Sequence, residues 1–121
     1  MSLRGLPEQF ILLFHADAVV HIMGSRQDQH FYGTHRGHAQ ILQVMRSIDV
    51  AVEVRYRQIL GVVVDGDRFA ARLLVEMRHR GTAVVVNFML GSVVRMRQGR
   101  IAEVFEFVDT TAVQLFDGDY E

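Results

Sequence analysis

His21 interrupts the apolar run Val19-Val20-His21-Ile22-Met23, and an imidazole in such a place can give or take a proton near neutral pH. The same placement suits a histidine bonded to a backbone carbonyl at a strand end, so both roles stand open. Asn87 lies inside Val84-Val85-Val86-Asn87-Phe88-Met89-Leu90. An amide buried there without a partner costs ~1 kcal/mol or more, so it calls for a ligand carbonyl or hydroxyl, a neighbouring strand or a second subunit. Glu106 and Asp109 fall in an aromatic-rich closing segment, and a carboxyl half-buried beside Phe105 and Phe107 has the raised pKa that a proton shuttle needs. Their separation by three puts them on opposite faces of a regular strand, so at most one enters a cavity. Asp109 equally suits hydrogen bonds that cap the strand end.

Other chemistries have fewer carriers. All 13 basic residues are arginine and there is no cysteine, which removes lysine Schiff bases, thiolate nucleophiles, disulfides and thiolate-held metals. His30, His35 and His38 bring three imidazoles into nine residues, but their spacing fits no standard ligand motif. They read as solvated or capping side chains, and no metal or cofactor is expected. Met23, Met45, Met77, Met89 and Met96, together with Tyr32, would line a pocket for a flat hydrophobic ligand or equally fill an ordinary core. Arg72, Glu76 and Arg78 read as a solvated or interfacial charged face.

These residues need one scaffold. A chain of 121 residues, half of them hydrophobic, supports one domain over 1–121 with one core. A net charge of −1 argues against duplex nucleic acid or an anionic membrane as partner. The apolar run Phe10 to Phe14 falls far below the roughly 18 residues of a membrane span, and with no export signal the expected location is the cytoplasm.

The apolar spacing from Leu6 to His15, with Pro7 suited to a first turn, predicts a short amphipathic helix. Ala18 to Met23 reads as a strand and Gly24 to His30 as a loop. Ile41, Leu42, Val44, Met45 and Ile48 place a second helix at about 37 to 48. From there the chain alternates as strands. Val54, Tyr56, Leu60, Val62 and Val64 share one parity; Asp65-Gly66-Asp67 turns the chain into Phe69 to His79. Arg80-Gly81 leads into a long strand from Thr82 to Arg97, apolar on both parities around Val84 to Leu90 and therefore expected to be covered on both sides. Gln98-Gly99 then closes a hairpin with Arg100 to Asp109. Gly61 and Gly91, isolated within strands, are the expected sites of bulges that curve the sheet.

Three segments resemble the nuclear transport factor 2-like superfamily, and within it the SnoaL-like polyketide cyclase and ketosteroid isomerase-like proteins. They are Ala16-Asp17-Ala18-Val19-Val20-His21-Ile22-Met23-Gly24, Tyr32-Gly33-Thr34-His35-Arg36-Gly37-His38-Ala39-Gln40-Ile41, and Arg97-Gln98-Gly99-Arg100-Ile101-Ala102-Glu103 through Phe107-Val108-Asp109. The resemblance implies an α+β, cystatin-like cone: a strongly curved mixed or antiparallel sheet with helices on its concave side, here with a first helix shorter than usual. It implies an apolar cavity for a small hydrophobic metabolite and a homodimer through the sheet. In the ketosteroid isomerases an aspartate near the end of the first strand acts as base; this chain has His21, Ile22 and Met23 there, so that aspartate does not carry over, whereas Asp109 matches the family's terminal acid.

The expected chemistry is cofactor-independent proton abstraction next to a carbonyl, as in an isomerase, cyclase or lyase. His21 or an acid of the last strand, Asp109 foremost, would be the base, with Met23, Tyr32, Asn87 and Glu106 as substrate-binding residues. The alternative is a noncatalytic ligand-binding or dimerisation module of the same fold.

Overall fold

The structure, a computed structural model, describes residues 7–23 and 32–108. A helical turn α1 (Pro7–Phe10) runs through a 3-10 turn (Ile11–Leu13) into strand β1 (Phe14–Met23). Strand β2 (Gly33–Arg36) leads into helix α2 (Gly37–Ala51), and four strands follow: β3 (Val52–Asp65), β4 (Arg68–His79), β5 (Val85–Arg97) and β6 (Arg100–Val108). They form one open, six-stranded sheet in the order β2-β1-β6-β5-β4-β3. The sheet is mixed, because β1 and β6 run parallel while every other pair is antiparallel.

Local sequence explains the joints. Gln98 (φ 52°) and Gly99 (φ 79°) both take positive φ, the geometry of a two-residue hairpin turn that matches strand twist. At the β3–β4 turn Gly66 (φ 63°) supplies the positive φ, which glycine adopts without a Cβ clash. Helix α2 opens on Gly37 (φ 79°), and Gln40 reaches back to accept the Arg36 N–H at 2.8 Å. His38 Nε2 donates to the Phe14 carbonyl at 2.9 Å and fixes this helix to the start of β1. Glu8 and Arg46 pair between α1 and α2.

Several sequence expectations shift. The first strand begins at Phe14, and α1 keeps only four residues, because β1 already pairs with β6 at Phe14↔Ile101. The fifth strand starts at Val85 and not Thr82. The connection before it is a closed loop in which the His79 N–H donates to Val84 O and the Ala83 N–H to His79 O, both at 2.8 Å. The loop expected at Gly24 to His30 lies outside the described residues.

The sheet is only weakly curled, against the strong curvature expected. Gly61 does follow a bulge, since Leu60 is the extra residue between Ile59↔Leu73 and Gly61↔Arg72. Gly91 lies in a regular ladder between Arg72 and Phe107, so the central strand carries no bend there. The remaining bulges leave Arg55 unpaired in β3 and Ala102 in β6.

Two apolar clusters divide the helix-side face. In the first, Ile41 and Val44 of α2 pack on Ala18, Val20, Ile22, Val94 and Val104, with Tyr32. The second, Val54, Val75 and Phe88 with Leu73, Leu90 and Val108 beside them, lies on the β3–β4–β5 half. No α2 side chain belongs to it; Val54, Val75 and Phe88 are buried within it, and Leu73, Leu90 and Val108 stay partly exposed at its margin. Among the described residues no helix is long and apolar enough to cross a membrane.

Candidate functional site

Register decides which side chains can meet. Opposite residues of a ladder share a face, so buried Val75 puts Phe88 on the helix side, and Ala71, Ser92 and Glu106 align across β4, β5 and β6 on the same side. Glu106 thus faces the helix side, at the border of the two clusters and one strand pairing from Val108. Its carboxylate accepts a hydrogen bond from the Ser92 hydroxyl at 3.4 Å. Burial pushes the Glu106 carboxyl up from its ordinary range; the Ser92 hydrogen bond and the charge of Arg57 offset part of that rise. A carboxyl in such surroundings can hold a proton at a pH where an exposed glutamate has lost it.

His21 faces the other way. It pairs with Phe105 across β1 and β6, and the two rings stack with centroids 4.3 Å apart at an interplanar angle of 13°. Its Nε2 lies 2.9 Å from Glu103 Oε2, and its Nδ1 lies 3.0 Å from Thr34 Oγ1. The ionised Glu103 only accepts, so Nε2–H donates to it; in the neutral ring Nδ1 then accepts the Thr34 hydroxyl. Glu103 is also 3.6 Å from the Arg95 guanidinium. The His21 hydrogen bond, and behind it the charges of His21 and Arg95, hold the Glu103 carboxyl below its usual range. With both ring nitrogens engaged on the outer face, His21 is separated from Glu106 by the sheet itself.

The remaining sequence candidates scatter. Asn87, expected to be buried, is exposed in the single chain: Val86, Phe88 and Leu90 take the helix side of β5, which leaves Asn87 on the outer row opposite Glu76. Met23 is exposed on the outer face opposite Phe107, whereas Tyr32 is buried in the first cluster. Asp109 and His30 lie outside the described residues. His35 sits opposite Val20 on β2, and His38 is the anchor described above. The Arg72 and Arg78 positions do fall on the outer face, opposite Gly91 and Val85.

Sequence parity missed Arg57 and Ile59 on the helix-side face. The bulge at Arg55 turns Tyr56 outward, where its hydroxyl donates to Gln58 Oε1 at 3.2 Å, and brings Arg57 into register with Val75. Without that bulge Tyr56 would share the face of Val54 and Arg57 would point outward, as alternation alone predicts. A bulge beside a site commonly re-aims a side chain in this way. A shallow, open depression lined by Ala39, Gln43, Arg46, Ser47 and Val50 runs along the exposed side of α2, away from Glu106.

The family model of the SnoaL-like domain matches residues 4–104. Among solved structures, a candidate isomerase from Rhodopseudomonas palustris aligns with a TM-score of 0.86 at 19% identity, covering 97% of this chain and 87% of that one. A candidate isomerase from Bacillus subtilis aligns with a TM-score of 0.87 at 16% identity, over 97% and 84% of the two chains. A protein of ketosteroid isomerase-like fold from Catenulispora acidiphila, in complex with trimethylamine, aligns with a TM-score of 0.78 at 17% identity, over 94% and 83%. At these identities the likeness speaks for the fold. No curated protein matches the chain.

Proposed function

The chain belongs to the SnoaL-like domain family, and we propose that the β3–β4–β5 half of its helix-side face receives a small hydrophobic molecule on which Glu106 acts as general acid and base. The observation that carries this reading is the Glu106 carboxyl itself, raised by burial and placed beside the apolar row of Leu90 and Val108. Ionised, it would take a proton from carbon next to a carbonyl; protonated, it would return that proton to another atom of the same molecule, with the Ser92 hydroxyl steadying the carboxyl between the two states. The chemistry is therefore that of a cofactor-independent isomerase, cyclase or lyase. His21, held by Glu103 and Thr34, serves the outer face in this scheme.

Deuterium uptake from solvent into a panel of hydrophobic β-ketoesters and β,γ-unsaturated ketones, followed by NMR, tests it. The expected result is catalysed exchange that Glu106→Gln abolishes and Glu103→Gln leaves intact. Exchange that is indifferent to Glu106→Gln would overturn it.

A noncatalytic ligand-binding module is the second reading, favoured by Ser92 being the one hydrogen-bond partner of the Glu106 carboxyl among the described residues. It predicts ligand binding without exchange. A homodimer through the outer face fits either reading, since Met23, Met89, Val93 and Phe107 stand 38–49% exposed there. Sedimentation of the wild type and of Val93→Glu checks it, with a dimer expected for the first and a monomer for the second.

A further inference from the structure

Arg57 has a place that neither packing nor pairing explains. It stands exposed on the helix-side face, in register with the buried Val75 of the second apolar cluster. Nearby arginines on β3 and β5 are engaged: Arg55 lies 3.6 Å from Glu76 and Arg95 lies 3.6 Å from Glu103. Arg57 itself makes no ion pair or hydrogen bond among the described residues. Its charge is nonetheless felt by Glu106 across the same face. The two polar groups thus bracket the partly exposed side chains of Leu73 and Leu90, with Val75 buried beneath them.

We propose that Arg57 selects the ligand of this face: a hydrophobic molecule that carries an anionic group, which docks on the guanidinium while the apolar body covers Leu73 and Leu90 and the far end reaches Glu106. The proposal rests on the site reading above and adds the substrate class to it. A guanidinium that meets an anion beside an apolar wall gains more than it would in open water, because the wall excludes the competing solvent. The anion also neutralises a cation that acts on Glu106, so binding at one end tunes the proton affinity at the other. An outward Arg57 would do neither, which gives the bulge at Arg55 a functional meaning.

The test compares two dyes of nearly the same ring system: 8-anilinonaphthalene-1-sulfonate, an anion, and N-phenyl-1-naphthylamine, which is neutral. The wild type should bind the sulfonate about ten-fold more tightly, the size of one charge-assisted hydrogen bond. Arg57→Gln should erase that preference and keep the neutral affinity, whereas Arg72→Gln, the same charge change on the outer face, should leave both unchanged. A preference that survives Arg57→Gln, or falls equally with Arg72→Gln, overturns the proposal. Leu90→Trp, or Leu73→Trp where the first does not fold, separates the two levels of failure. If it blocks both dyes but Arg57→Gln is silent, the role of Arg57 alone falls; if it blocks neither, the site reading falls and the role of Arg57 with it.

Discussion

Glu103 and Glu106 stand three residues apart on one strand, and the odd spacing sends them to opposite faces of the same sheet. On the outer face Glu103 meets an imidazole, a guanidinium and solvent, and its carboxyl is held down. On the helix side Glu106 meets apolar side chains and one hydroxyl, and burial pushes it up. The contrast separates two uses of a carboxylate that are identical in sequence. One is a structural anion that orders His21 and Thr34 around it. The other is pushed toward its protonated form by poor solvation, the kind of shift that acid–base work draws on.

The contrast can be broken hardest by exchanging the charges one at a time. Glu106→Gln should lower proton transfer by about a hundred-fold or more, the usual worth of a positioned acid–base group, while Glu103→Gln changes it little in the same deuterium-exchange assay. His21→Ala should reverse the ranking for stability. It removes a stacked ring and leaves Glu103 and Thr34 without their shared partner, a loss of about 1–2 kcal/mol by chemical denaturation, with exchange at Glu106 preserved.

A smaller effect concerns pH. The folded state holds the Glu106 proton more tightly than the unfolded chain does, so Glu106 costs stability as pH rises from the ordinary carboxylate range through its raised value. Glu103 behaves in the opposite sense: it stabilises the fold above the ordinary range, and that contribution is lost as pH falls through its lowered value. Denaturation at a series of pH values should therefore show Glu106→Gln gaining on the wild type with rising pH. Glu103→Gln should close its deficit as the solution becomes acid. Equal slopes for the two variants would erase the distinction.

Much of this architecture was legible in the sequence where alternation is regular. The closing hairpin reads directly from Val93 to Val108, because Gln98-Gly99 permits the positive φ values that a two-residue turn demands. Helix α2 reads equally well, since Ile41, Val44 and Ile48 fall on one stripe, and only its last turn, to Ala51, exceeds the periodic signal. Glu106 was legible as a carboxyl among aromatics. Strand β3 was legible as a strand but not in its facing, because two bulges reverse Tyr56 to Ile59 and no composition cue marks the unpaired Arg55. His21 and Asn87 stood out as polar residues in apolar runs, yet such runs do not say which face a polar residue takes. Pairing with Phe105 and Glu76 turns both outward, and that pairing depends on partners 84 and 11 residues away in the chain.

Whether the sheet shifts its two neighbouring carboxyls in opposite directions can be read by NMR titration of protein labelled at the glutamate side-chain carboxyl carbon, with Glu103→Gln and Glu106→Gln supplying the assignments. The Glu106 resonance should titrate above the ordinary glutamate range and the Glu103 resonance below it. A Glu106 carboxyl that titrates at or below Glu103 would mean that the two faces do not separate them.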